Sequence, residues 1–461
     1  MRYPACVFPL ALLLAGPTCA APLGDANARL LLNRSGFDAL PVQIADYAKL
    51  EPDVAVSRLL KASPTVAQTT PPEWVNDTQL RPARLKDMNP DEKRELQKQF
   101  RQRGIELREW WLTEMLSTPS PLTEHMTLFW HNHFVSSLEK VKAPQLMYRQ
   151  NVLLRREALG NFGRLLHGIA RDPAMLVYLD GARNQKGQPN ENFAREVMEL
   201  FTLGEGHYTE ADIREAARAF TGWSINPENG EFLYRPRQHD DGSKTVFGKS
   251  GHFDGDDVID LLLARPETAE FVVTKLWREF VSPEPDSAEV KRLAKLFRDQ
   301  QYEIKPLMAA LFTSPAFYAS AGQLTKSPVD LTVGTLREFD VQPPDLRPLL
   351  FLNRQLGQDV FAPPNVKGWP GGESWINSQT LSLRQQFLAR LFRADTEEGG
   401  AMLPPRMKRG FYEPDLASFN DRCPKACAIK ALLPLPPDPV PEGDGTAVLR
   451  ALALDARYQL K

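Results

Sequence analysis

Leu122-Thr-Glu-His-Met-Thr-Leu-Phe-Trp-His-Asn-His-Phe-Val135 is the stretch on which the fold turns. It is apolar nearly all the way round. Leu122, Met126, Phe129 and Trp130 recur at the spacing of a helix interior, so a buried helix is expected. On a strand, His131 and His133 would share one face and could chelate a single metal ion. On a helix, at ~100° per residue, they point roughly 160° apart and cannot. Imidazoles hydrogen-bonded in a core are the expectation, with a pocket role left open for one of them.

Helical text continues on both sides. Asp91 to Trp111 reads as a helix or a broken helix pair, after a proline-bearing loop over Ser63 to Pro90. Asn151 to Arg171 reads as one helix stopped by Asp172-Pro173. Asn190 opens a helix through Thr202 that Gly204 ends. Thr209 caps the next, with Asp212 at the capping-box position. Phe232-Leu-Tyr-Arg and Thr245-Val-Phe-Gly flank His239-Asp-Asp-Gly and predict a small β-hairpin near 232–248. Helices resume over Asp256 to Phe317 and Ser327 to Phe339, and Pro363 to Gly372 is a loop. Pro434-Leu-Pro-Leu-Pro-Pro-Asp-Pro-Val-Pro predicts an extended linker, and Ala447 to Leu460 a last amphipathic helix. The fold class is mainly α: a multi-helix globular chain with a small hairpin and a proline-rich C-terminal extension.

Five regions follow. They are a signal peptide (1–20), an N-terminal helical region (21–118), a central helical core (119–393), a proline-rich segment with a cysteine pair (394–445) and a C-terminal helix (446–461). The first rests on Arg2 as a positive n-region, an apolar run from Val7 to Ala15, and small residues before a cut after Ala20. That run is too short to span a bilayer. Pro17-Thr18 before Cys19 is a poor context for lipid attachment. No later segment is long and apolar enough to cross a membrane, so an exported protein, periplasmic or secreted, is expected.

Of the four cysteines, Cys6 and Cys19 leave with the signal. Cys423 and Cys427 remain, four apart, and an oxidising compartment predicts a local disulfide. Lys plus Arg is 56 against 58 Asp plus Glu, a net charge of −2, which carries no electrostatic case for a nucleic-acid partner.

All seven histidines fall between His125 and His252, so chemistry is sought in the middle of the chain. At 100° steps Asn192, Glu196 and Glu199 fall within an arc of roughly 60°, with Arg195 beside them. Helical pairs Glu191–Arg195 and Arg195–Glu199 would make this an ordinary solvated face. The sharper expectation is a carboxylate cluster in which one acid raises the pKa of the other. Glu196 is expected as the principal acid–base residue, with Glu199 and Asp180 next. Asn192 and Arg195 would position substrate. His239 and Asp240 offer a proton-transfer group at the hairpin tip. Trp369, on the 363–377 loop, would stack on a sugar ring. Asp254-Gly-Asp256-Asp257 lacks the loop of an EF-hand and reads as a helix N-cap. Neither a metal site nor a cofactor is expected; a di-metal bundle would need Glu-x-x-His on two helices.

Phe-Trp-His-Asn-His-Phe (129–134), Asp-Pro-Ala-Met-Leu-Val-Tyr-Leu-Asp (172–180), Pro-Asn-Glu-Asn-Phe-Ala-Arg-Glu (189–196), Glu-Leu-Phe-Thr-Leu-Gly (199–204), Ala-Arg-Ala-Phe-Thr-Gly-Trp (217–223), His239-Asp240 and Val-Lys-Gly-Trp-Pro-Gly-Gly (366–372) together resemble the bacterial family called domain of unknown function 1800. The resemblance covers about Ala28 to Phe392. It implies an exported, mostly helical bacterial protein. The gene often neighbours one for a second exported family, domain of unknown function 1501, which is similar to sulfatases and alkaline phosphatases. No activity or catalytic residue comes with the resemblance. Two functions are therefore expected: a hydrolase acting on a glycan or envelope polymer, or a non-enzymatic binding or assembly partner of an exported sulfatase-like protein.

Overall fold

The computed structural model describes residues 21–77, 87–392, 414–443 and 445–461, so the expected signal peptide and the start of the proline-rich segment lie outside the described residues. The chain is mainly helical, with two small antiparallel pairs of strands among the described residues. One cluster of buried apolar side chains runs from Leu23 to Tyr458.

At its centre lies the Pro121–His133 helix, almost wholly buried, as its all-round apolar text requires. Proline at its start fixes φ where no helical N–H is needed. Its one buried carboxylate, Glu124, takes two bonds from Arg155 (2.6 and 2.8 Å) and one from the Trp111 indole N–H (2.8 Å). These bonds join the Pro90–Ser117, Pro121–His133 and Pro144–Arg156 helices. A charge so far from water persists only when paired in this way.

The Pro266–Phe280 helix lies along the central one. Phe271, Lys275 and Glu279 repeat at i, i+4, i+8, one face of a helix. The Phe271 ring lies tilted against His133, and Glu279 bonds His125 Nε2 at 2.8 Å.

Asn151 to Arg171 is not one helix. The Pro144–Arg156 helix ends, and Phe162–Ala170 begins after Asn161 caps the Arg164 N–H. Between them the backbone pairs elsewhere: Phe162 N–H donates to Tyr302 O and Ile304 N–H to Gly160 O. Those long-range bonds outweigh the local preference for a continuous helix.

Both predicted strands form, Phe232–Tyr234 and Lys244–Val246, but not with each other. The first pairs back with Trp223–Ile225 and the second forward with Lys249–Gly251. Residues 236–243 between them are held by side chains instead.

The C-terminal part is more helical than its prolines suggest. Leu416–Arg422 and Lys425–Leu432 are short helices, and the Cys423–Cys427 disulfide joins the end of one to the start of the next. After the Gly445–Leu454 helix, residues 458–461 enter the interior. The Tyr458 hydroxyl donates to Glu338 (2.7 Å), Lys461 Nζ to Asp330 (2.6 Å), and Leu460 bridges Thr325. No helix among the described residues is long and apolar enough to cross a membrane.

Candidate functional site

The expected carboxylate face exists, but its helix changes form within it. Glu191–Glu196 is α-helical and opens on the Asn190 cap, whereas Val197–Thr202 is a π-helix. A π turn closes i→i+5 bonds and holds more residues than the 3.6 of an α turn. Glu199 therefore stands off the arc computed for a regular helix.

Glu196 is half-buried. Loss of water, then the Glu199 charge, pushes its carboxyl above the usual range, against the pull of Arg195 and Lys367. Glu199 accepts the Tyr208 hydroxyl at 2.7 Å. Burial first, and then that bond, push the Tyr208 phenol up. Arg195 does not pair with Glu199. It clamps Glu210 on the following helix with two bonds (2.7 and 2.8 Å) and touches Glu191 at 3.4 Å. Glu210 presents both oxygens to the planar guanidinium, while Glu199 is engaged by the Tyr208 hydroxyl. Asn192 is exposed; its backbone N–H donates to the Asn190 cap, and among the described residues its side chain takes part in no hydrogen bond.

Asp180 sits in the left-handed region (φ 60°) and pairs with Lys140 at 2.8 Å on a half-exposed surface. Its carbonyl meets the Asn190 amide at 3.5 Å. Tyr178 connects the two patches. The Lys140 ammonium lies 5.8 Å from its ring, and burial, then Glu196 and Glu139, push its phenol up. Asp180, Glu196 and Glu199 thus belong to one neighbourhood.

His239 and Asp240 do not join it. Among the described residues no hydrogen bond or ion pair links His239 to those three carboxylates. Its Nδ1–H donates to the Thr221 carbonyl at 3.0 Å. Asp240 is clamped by Arg218 (2.8 and 3.2 Å), which holds its carboxyl down to about 2. Buried Lys244 donates to the carbonyls of Asp240 and Gly242. The expected mobile tip is a braced loop, because three cations converge on it: Arg218, Lys244, and Lys186 on Asp241.

Trp369 is a correction too. It is 4% exposed, with its ring edge-on to His131, so it offers no stacking wall. Trp375 is also buried. Asn132 explains why: its Oδ1 accepts the Trp369 backbone N–H at 2.7 Å.

The unexpected organiser is the triplet His131-Asn132-His133. The two imidazoles do point to different neighbours. His131 Nε2 accepts the Phe361 backbone N–H at 3.2 Å, and burial, then Arg108, pushes it down to about 3. His133 Nε2–H donates to the Phe201 carbonyl at 3.0 Å, and its Nδ1 is buried with no partner. Burial, then Lys275, keeps it far below the ordinary imidazole range. One triplet therefore holds the 361–369 loop on one side and the π turn on the other, and the loop in turn brings Lys367 to Glu196. The i, i+8 spacing of His125 and His133 against Phe271 and Glu279 was the available signal for this stripe.

Asp254 caps the Gly255–Leu263 helix through the N–H groups of Asp256 and Asp257, as its spacing predicts. Surface hollows lined by Gln102, Glu109 and Arg347 and by Asp53, Leu60 and Lys305 do not include Glu196. Glu196 and Glu199 are partly exposed.

No curated protein and no solved structure matches the chain. The motifs that build this neighbourhood, from the His-Asn-His triplet to the loop that carries Lys367, all fall within residues 30–455, the span matched by the model of the family described as Protein of unknown function (DUF1800), and the chain belongs to that family.

Proposed function

We propose that this protein is an exported hydrolase acting on a glycan or envelope polymer, with Glu196 as its proton donor. The observation that carries this reading is the raised Glu196 carboxyl beside Glu199, on a partly exposed face where most other charges are already paired. Acid–base hydrolysis needs one carboxyl kept protonated and another free to accept a proton. Glu196 donates to the leaving oxygen. Glu199, aligned by Tyr208, takes the proton of the attacking water. Two acids on one helix do not flank a bond from both sides, as glycosidases do; Asp180, across Tyr178, supplies the facing carboxylate. A partly exposed face suits a polymer better than a small molecule. Export, with cleavage after Ala20, fits the Cys423–Cys427 disulfide. Asn192 is left to position substrate.

The test is Glu196→Gln, which keeps shape and removes the proton. Purified protein is screened against cell-wall and other polysaccharides for newly formed reducing ends. Turnover lost in a variant of wild-type stability supports the reading. Turnover retained by that variant overturns it.

A second reading has its own support: the braced 239–241 loop and the absence of an exposed Trp369 suit a rigid docking surface. Here the chain is the assembly partner of an exported sulfatase-like protein of the domain of unknown function 1501 family. Titrating the purified protein with a purified neighbour-encoded member, by calorimetry, distinguishes this from the hydrolase reading.

A further inference from the structure

The Val197–Thr202 π-helix ends at Gly204, and a helix end leaves its last carbonyls without backbone donors. The N–H groups of Leu203 and Gly204 both turn back to the Met198 carbonyl, at 2.8 and 3.2 Å. The carbonyls of Leu200 and Phe201 receive side chains instead. Lys275 Nζ donates to Leu200 O at 3.1 Å, and His133 Nε2–H to Phe201 O at 3.0 Å. Gly204, with φ +80°, packs so closely on Phe271 that a Cβ would stand 3.1 Å from its ring. Both donors come from outside the turn, one from the central helix and one from Pro266–Phe280. His133 does this at a cost: its Nδ1 stays buried without a partner. π turns inside helices are frequent at functional sites.

We propose that His133 and Lys275 are positioning residues: their two donors hold residues 197–202 as a π-helix and so fix how Glu199 faces Glu196. This rests on the hydrolase reading for its consequence in turnover, and on geometry alone for the coupling itself. Without the donors, the last turn frays, Glu199 moves away and water reaches Glu196. The other groups acting on Glu196 stay in place, because they come from different elements: Arg195 from the preceding helix, Lys367 from the 361–369 loop, and Tyr178 from Pro173–Tyr178.

The experiment needs no substrate. Carbodiimide modifies protonated carboxyls, so the labelling of Glu196 against pH, read by peptide mass spectrometry, follows its protonation. In the wild type the Glu196 midpoint lies above the ordinary carboxylate range. In Lys275→Met and His133→Phe it falls by at least half a pH unit, about threefold in the protonated-to-ionised ratio, and the amides of Leu203 and Gly204 exchange at least tenfold faster. His133→Gln, which retains a donor, restores the wild-type profile. Folded variants with unchanged labelling and exchange overturn the proposal, as does His133→Gln shifting as far as His133→Phe. If His133→Phe does not fold, Lys275→Met, on the more accessible side, decides. Failure here with Glu196→Gln still inactive discards the positioning role alone. Success here with no turnover in any glycan screen discards the hydrolase alone.

Discussion

Asn132 Oδ1 accepts the Trp369 backbone N–H at 2.7 Å, and Gly368, at φ +82°, lies so close that any Cβ would collide with that same oxygen. One side chain therefore dictates both the burial of Trp369 and the glycine before it. Gly368→Ala pays for a left-handed residue, ~1–2 kcal/mol, and for overpacking, ~1–3 kcal/mol. The expected loss is about 2–5 kcal/mol in urea unfolding. Asn132→Ala removes the side-chain part of the collision and leaves the Asn132 carbonyl 2.7 Å from the new Cβ, so the double variant should lose somewhat less than the sum of the singles. Strict additivity would show that the two do not touch.

The Glu124–Arg155 pair is 1% exposed at both side chains. Removing one partner strands the other charge in the interior, so Glu124→Ala should cost about 3–5 kcal/mol. Arg155→Met added to Glu124→Leu should recover part of that loss. Thermal unfolding of the two variants checks both statements, and a double variant no better than Glu124→Ala contradicts the second.

Asp172 is wholly buried, and loss of water raises its carboxyl from 3.8 to about 7, against bonds from the Met175 N–H and Gln150. A folded-state acid raised above its unfolded value binds protons that the unfolded chain has released. Its contribution is therefore full below about pH 4 and is lost as pH rises toward 7. Asp172→Asn keeps the cap and removes the titration. Its stability relative to wild type should climb between about pH 4 and 7 and level off above, with a ceiling of ~4 kcal/mol at ~1.4 kcal/mol per unit. A flat difference across that range refutes the assignment.

Processed, non-reduced protein should show essentially no free thiol after denaturation, since Cys423 and Cys427 are bonded to each other. The loop they close is short, so the loss in Cys423→Ser/Cys427→Ser should be about 2 kcal/mol. N-terminal sequencing of exported protein should begin at Ala21; an intact Met1 rules out the cleavage.

Local chemistry was legible wherever a neighbour in sequence did the work. The Thr209–Asp212 capping box, the Asp254 cap, the buried 122–135 text and the divergence of His131 from His133 all follow from spacing. Distant partners were not legible. Arg195 pairs with Glu210 rather than Glu199, and the Leu200 carbonyl in the π turn is met by Lys275, 75 positions away. Trp369 is buried by Asn132, 237 positions away. The strand pairing near 232–248 went to outer neighbours because Arg218, Lys186 and Lys244 already occupied the intervening loop. Glu196, Glu199 and Asp180 fell together as a group, and His239 did not, since Thr221 and Arg218 hold that loop on their own side.

The burial of Tyr458, Gln459 and Lys461 also sets an order in time. They lie C-terminal to every other described part of the core and so follow it in synthesis. Until they arrive, Asp330 lacks its ammonium, Glu338 its phenol and Arg384 its Gln459 carbonyl. A nascent chain thus lacks three interior partners at the place where the interior must close. Full closure therefore waits on these few residues rather than on the bulk of the core.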